Sequence, residues 1–160
     1  MFCFADATGD TLGALLRPGN AGANTVADRV SVLDAGIDGL PQEIAAGHRV
    51  GDDPDHVRRA VVLRADSGAY TKGFLSACRS RNVGFFVSAR SNAQVTAAIF
   101  DTIGIEEVWL PALAQDGDEK DESAVAELTS LIEEHKLPHG ARLIVRREPL
   151  HPGAQRSLFP

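Results

Sequence analysis

AVVLRADSGAYTKGFLSACRSRNVGFFVSAR, Ala60 to Arg90, is the stretch whose reading decides the fold. Its first part, AVVLRAD, is a short β-branched run of the kind that forms a buried strand. SGAYTKGFLSACRSR then places Phe74, Leu75 and Cys78 on one side of a helix, and NVGFFVSAR returns to an apolar strand pattern. A strand, a helix and a second strand of these lengths make a right-handed parallel crossover. The class is therefore α/β.

Asp66 stands where the first of these strands ends. In open α/β sheets ligands bind outside the carboxyl ends of parallel strands, so the position suits a catalytic or metal-binding carboxylate. It equally suits an N-cap, in which the carboxylate accepts a hydrogen bond from a backbone N–H two or three residues on. The residues alone leave both roles open. An aspartyl-phosphate phosphatase would want a second aspartate where Gly68 stands, and DSGAYTKG has neither the glycine spacing nor the ending of a phosphate-binding P-loop. Ser67 and Ser88 lack the glycine-flanked turn of a hydrolase nucleophile.

Outward from this block, Phe2–Ala5 and Thr11–Gly19 flank the turn-like cluster DATGD and read as a β-hairpin. NTVADRVSVLDAGIDGLP spaces Val26, Val30, Leu33, Ile37 and Leu40 along one helical face, with Asn24 or Thr25 as N-cap and Pro41 as the stop. GHRVGDDPDHVRR reads as a solvated loop, because Asp52, Asp53 and Asp55 lack the alternating spacing and closing glutamate of a calcium loop. After Arg90 the expected order is a helix (NAQVTAAIFDTIG), a strand (EEVWLPAL) and an acidic loop (AQDGDEKDE). A helix (AVAELTSLIEEHK) ended by Gly140 and a strand (GARLIVRREP) complete it.

The chain has 160 residues, of which 44% are hydrophobic and 24% charged, enough for one soluble unit with a real core. Its net charge of −6 means that a nucleic acid would be held by a local basic face or by metal ions, not by the overall field. Cys3 and Cys78, two lone thiols at unrelated spacing, match no zinc pattern and make at most one disulfide, so a reducing cytoplasm is the simplest home for the chain. No apolar run approaches the ~18 residues that span a bilayer, so no membrane partner is expected. His48, His56, His135, His139 and His151 read as scattered surface residues without helical zinc spacing. The strand-like opening and the apolar close, QRSLFP, suggest a piece of a longer protein.

ALLRPGNAGANT, VVLRADSGAYTKGFLSACRSRNVGFFVSAR and RLIVRREPLHPGAQ, in this order and at these distances, together resemble the central part of DDE transposases of insertion-sequence family 1380. The resemblance implies an α/β fold with a partial ribonuclease-H-like mixed sheet over residues 1–90, its central first strand missing. An α+β insertion over residues 91–160 would follow. It also implies a parent enzyme that binds the terminal inverted repeats of a transposon, in a synaptic complex that can be a homo-oligomer. That parent cuts and joins DNA with Mg²⁺ (or Mn²⁺) held by two aspartates and a glutamate, and two-metal sites of this kind serve in-line displacement at phosphorus. Only Asp66 carries over, as the second of the three carboxylates, both catalytic residue and metal ligand. Asp6, Asp34 and Glu148 do not occupy the family's other positions. Arg142, Arg146 and Arg147 are the expected DNA-contacting residues of the insertion. The segment by itself would then not cleave DNA, and the alternative is a non-catalytic α/β remnant or a DNA- or partner-binding module.

Overall fold

The computed structural model describes residues 1–90, 92–133, 137–138 and 140–149. The chain is mixed α/β and divides into two compact units, Met1–Arg90 and Ser91–Pro160.

In the first unit, β1 (Phe2–Phe4) and β2 (Thr11–Ala14) form the antiparallel hairpin, with Phe2 opposite Ala14 and Cys3 opposite Gly13. The chain then enters α1 (Val26–Asp38), whose N-cap is Thr25. A capping box fixes that end: the Thr25 hydroxyl accepts from the Asp28 N–H at 3.2 Å, and the Asp28 carboxylate accepts from the Thr25 N–H at 2.7 Å. Gly39 ends the helix, and Pro41, expected as its stop, instead leads into the one-turn helix α2 (Gln42–Ala45). The polar loop contains a 3₁₀ turn at Pro54–His56.

The Ala60–Arg90 block forms β3 (Val62–Ala65), α3 (Lys72–Arg79) and β4 (Gly84–Val87), and β3 and β4 pair in parallel with Val62 opposite Gly84 and Arg64 opposite Phe86. The helix starts later than its apolar spacing suggests. Asp66 instead opens a separate 3₁₀ turn, Ser67–Ala69, and the α-helical N-cap is Thr71, whose hydroxyl accepts from the Phe74 N–H at 3.4 Å. Phe74, Leu75 and Cys78 are buried, as their spacing demands. Phe74 and Cys78 join Leu33, Ile37, Ala69 and Val83 in one apolar cluster, against which Leu63, Ala65, Phe85 and Val87 pack.

α1 therefore lies over both pairs of strands. Its Leu33 and Ile37 meet the β3–β4 side, while Gly36 faces the hairpin, where a Cβ would come within 2.7 Å of Cys3 Sγ. Yet the two pairs remain separate two-stranded sheets. What joins their ends is an exposed ion pair, Arg64 Nη1 to Asp6 Oδ2 at 3.0 Å, not a hydrogen-bonded ladder. Phe2, Phe4, Val62 and Phe86 are all at least half exposed, and each alternates along its strand with an inward-facing neighbour.

His48 corrects the surface reading given to the histidines: it is fully buried. Its Nδ1 and Nε2 lie 3.1 and 2.8 Å from the carbonyl oxygens of Arg81 and Arg59. Asn82, in the left-handed region at φ 55°, donates from its amide to the carbonyls of Gly47 and Asp52 at 2.8 and 3.0 Å. The loop expected to be a solvated connection is thus tied to the α3–β4 turn through Gly47, His48 and Asp52, and closed on itself by the His48–Arg59 contact. His56 is exposed, while His135, His139 and His151 lie outside the described residues.

The second unit begins with α4 (Ala93–Asp101), capped by the Asn92 side chain, which accepts from the N–H groups of Gln94 and Val95. A 3₁₀ turn (Glu106–Val108) precedes β5 (Leu110–Leu113), so only the second half of EEVWLPAL is strand. β5, β6 (Glu119–Glu127) and β7 (Ile144–Arg147) form one antiparallel sheet with β6 in the middle.

Here the sequence reading is overturned. The helix expected from Ala124 is the second half of β6, followed by a 3₁₀ turn at Thr129–Leu131, and the acidic loop shrinks to a turn ahead of the strand. Alanine and glutamate favour helix locally, but β6 pairs on both edges, and that outweighs a propensity of a few tenths of a kcal/mol per residue. Ala124, Ala126 and Leu128 are buried at every second position, the period of a strand. Gly140, at φ 68°, follows no helix among the described residues, and Glu134, His135 and Lys136 of the expected helix lie outside them.

Candidate functional site

Asp66 is exposed, with extended backbone at φ −75° and ψ −178°, directly after β3. Its Oδ1 accepts from the Gly68 N–H at 2.9 Å, so it is a cap, though of the 3₁₀ turn and not of α3. Gly68 is what lets the carboxylate come so close, because a Cβ there would stand 2.9 Å from Oδ1. The bond leaves Oδ2 and one further lone pair of Oδ1 as acceptors.

Around it, the carboxyl ends of β3 and β4 gather a small polar group. The Ser88 N–H donates to the Ala65 carbonyl at 3.3 Å. Arg90 crosses back from beyond β4, donating from Nε to the Ser67 carbonyl at 3.0 Å. Arg64, two residues before Asp66, is held by Asp6. Asp34, on α1, is taken by Arg81, which donates Nε and Nη2 to its two oxygens at 2.5 and 2.9 Å. Neither Asp6 nor Asp34 is therefore a bare acid waiting for a ligand.

A divalent ion needs several hard oxygens converging, with affinity following their number and charge. Among the described residues there is no group of three or more His, Cys, Asp or Glu side chains placed to hold a metal ion. Asp66 as it stands does not make a Mg²⁺ or Mn²⁺ site, and no catalytic step through such an ion follows from these residues. Cys78 is equally unsuited to chemistry, since burial pushes its thiol up to about 11, and Cys3 is also raised by burial.

The three arginines singled out in the second unit are each engaged by a carboxylate. Arg142 meets Glu127 with Nε and Nη2 at 3.0 and 2.5 Å. Arg147 meets Glu106 with Nη1 and Nη2 at 3.2 and 2.6 Å, and its guanidinium carbon lies 4.6 Å from the centre of the Trp109 ring. Arg146 pairs with Glu148 at 2.6 Å, and Lys120 holds the same glutamate at 2.8 Å. These partners hold all three glutamates below the ordinary range: Glu106 through its hydrogen bond from Arg147, Glu127 through that from Arg142, and Glu148 chiefly through that from Lys120. A phosphate approaching Arg142 or Arg147 would compete with a carboxylate that holds two nitrogens of each guanidinium, whereas Arg146 is held by Glu148 through one.

Sequence reasoning passed over Arg90. Its signal was available: it closes the FFVSAR strand segment at the same sheet end as Asp66. Compared with protein-family models, with curated proteins and with solved structures, the chain matches none of them.

Proposed function

We propose that this chain is a segment of the catalytic domain of a DDE transposase, with Asp66 supplying one of the carboxylates of a metal site completed by residues outside it. The observation that carries the reading is the division of the first unit into an antiparallel pair and a parallel pair under one helix. In a ribonuclease-H-like sheet the first strand lies between the hairpin and the aspartate-bearing strand. Here α1 packs against both pairs, and an ion pair between Arg64 and Asp6 links their ends where no backbone ladder does, an arrangement consistent with such a strand. The position of Asp66 at the end of the parallel strand supports the same reading.

The intact enzyme would bind transposon-end DNA as a synaptic assembly, hydrolyse a phosphodiester and join the freed 3′ end to a target by transesterification. Mg²⁺ or Mn²⁺ would supply the charge stabilisation at phosphorus. Asp66 would offer an anionic oxygen toward such an ion, while its Oδ1 accepts from the Gly68 N–H and caps the 3₁₀ turn. The second unit would be the start of the insertion that separates the parallel strands from the glutamate-bearing helix.

Two variants separate the capping role of Asp66 from the ligand role. Asparagine caps as well as aspartate but is a neutral, weaker metal ligand. In a chain lengthened to include an upstream aspartate strand and a downstream glutamate helix, Asp66→Asn abolishes Mg²⁺-dependent cleavage of transposon-end DNA and leaves the melting temperature in place. Cleavage by the 160-residue chain alone, lost in Asp66→Ala, would overturn the reading. So would flanking DNA that encodes neither element in any frame.

A second reading, a non-catalytic α/β module, has one observation in its favour: Asp66 already has structural employment as a cap. It requires binding to DNA or a partner that is indifferent to Asp66→Asn even in the lengthened chain.

A further inference from the structure

The arginines of the chain are not equivalent as phosphate ligands. A guanidinium already clasped by a carboxylate is neutralised and geometrically occupied, whereas one anchored by a single N–H on a backbone carbonyl keeps its charge and most of its donors. Arg142, Arg146 and Arg147 belong to the first kind, as do Arg81 on Asp34, Arg64 on Asp6, Arg49 on Asp38 and Arg17 on Asp28. Arg90 belongs to the second. Its Nε is fixed on the Ser67 carbonyl at 3.0 Å, it is exposed, and among the described residues it makes no ion pair.

The anchor matters as much as the freedom. Ser67 is the residue after Asp66, so the hydrogen bond parks the guanidinium beside the strand end where that carboxylate sits. An arginine with one nitrogen pinned presents the remaining Nη groups as a fork, the geometry that meets two oxygens of one phosphate.

We infer that Arg90 is a phosphate-binding residue, gripping a phosphodiester of the DNA strand beside Asp66, and that Arg142, Arg146 and Arg147 contribute little to DNA affinity. The inference rests on the transposase reading for its ligand and goes beyond it in naming the residue. It predicts a division of labour between cations that net charge alone would treat alike.

The test measures binding of the purified 160-residue chain to a fluorescein-labelled DNA duplex by anisotropy over a salt series. Each phosphate contact contributes about 0.9 to the slope of log affinity against log salt. Arg90→Ala lowers the slope by about that amount; Arg142→Ala and Arg146→Ala leave it within error. Arg90→Lys restores much of the slope, because the charge returns without the fork. Circular dichroism checks that all variants fold, which an exposed side chain with one hydrogen bond should not prevent. Wild-type binding with an Arg90→Ala slope unchanged, or a slope lost in the second-unit variants instead, overturns the assignment while leaving the transposase reading standing. Failure of the wild-type chain to bind DNA at low salt overturns the assignment and counts against that reading too.

Discussion

The two units solve the same problem, covering strand edges and charges, in opposite ways. The second unit has one continuous sheet whose middle strand is paired on both sides, and its described arginines, Arg142, Arg146 and Arg147, are each matched to a glutamate. The first unit divides four strands into two pairs with no ladder between them, and one helix packs against both. Unpaired edges are templates for another strand. The difference teaches how each unit is held: in the first, a helix and an ion pair link strand pairs that share no ladder, whereas in the second a central strand bonds directly to both its neighbours.

If the apolar cluster under α1 holds the first unit together, the largest loss comes from opening a hole in it. Phe74 is 4% exposed and touches the shared cluster, so Phe74→Ala is expected to cost about 3–5 kcal/mol, read as a shift in the urea midpoint. The matching cut on the second unit's surface, Arg142→Ala, is expected to cost no more than about 1 kcal/mol, since exposed ion pairs contribute little. A reversed order of the two would break the comparison.

Next in size is Gly47→Ala. Gly47 sits at φ 85°, and a Cβ would come within 2.7 Å of the Val57 backbone nitrogen, which cannot swing aside as a side-chain tip can. The strain of a left-handed alanine alone is about 1–2 kcal/mol, and the backbone contact adds to it. Tolerance of this change would show that the His48 and Asn82 ties do not hold the loop as drawn.

These features were unequally legible. The α/β class, the hairpin and the parallel pairing of β3 with β4 follow from short apolar runs separated by glycine and aspartate turns, because such runs have few ways to bury themselves. The helix at Val26–Asp38 was legible for the same reason, and its capping box is written in Thr25 and Asp28. The strand at Glu119–Glu127 was not, since alanine at alternate positions buries too little surface to advertise a period, and only pairing on both edges reveals it. The burial of His48 was hidden because its partners are backbone carbonyls of Arg59 and Arg81, which no residue type announces. At the site, the position of Asp66 could be read from the strand end. The anchoring of Arg90 on Ser67 depends on how two loops meet.

A smaller effect sharpens the role of α1 as the element shared by both pairs of strands. Thr25→Ala removes the hydroxyl that accepts from Asp28 and is expected to cost about 1 kcal/mol. The same capping box makes the helix acid-sensitive. Hydrogen bonding to Thr25 holds the Asp28 carboxyl below its ordinary value. The native state therefore binds the proton less well than the unfolded chain does. The stabilisation is complete above the ordinary aspartate range and fades as pH falls through the native value. In Asp28→Asn this part of the acid sensitivity disappears, and hydrogen exchange along α1 follows it residue by residue.

The least effect on stability, and the most direct view of the second unit, comes from titrating Glu106. Its carboxylate grips Arg147, and the guanidinium rests over Trp109, the only tryptophan in the chain. The hydrogen bond from Arg147 lowers the Glu106 pKa, so the pair persists above the ordinary glutamate range and is lost as pH falls below it. Protonation frees the guanidinium to leave the ring, and Trp109 emission is expected to change there with little loss of folded structure by circular dichroism. Glu106→Gln, which removes the charge at every pH, is expected to show the acid form of the emission at neutral pH and no further change below it. If emission and ellipticity instead move together, the charge pairs support the sheet itself, and the contrast between a unit held by its core and one dressed by surface charge no longer holds.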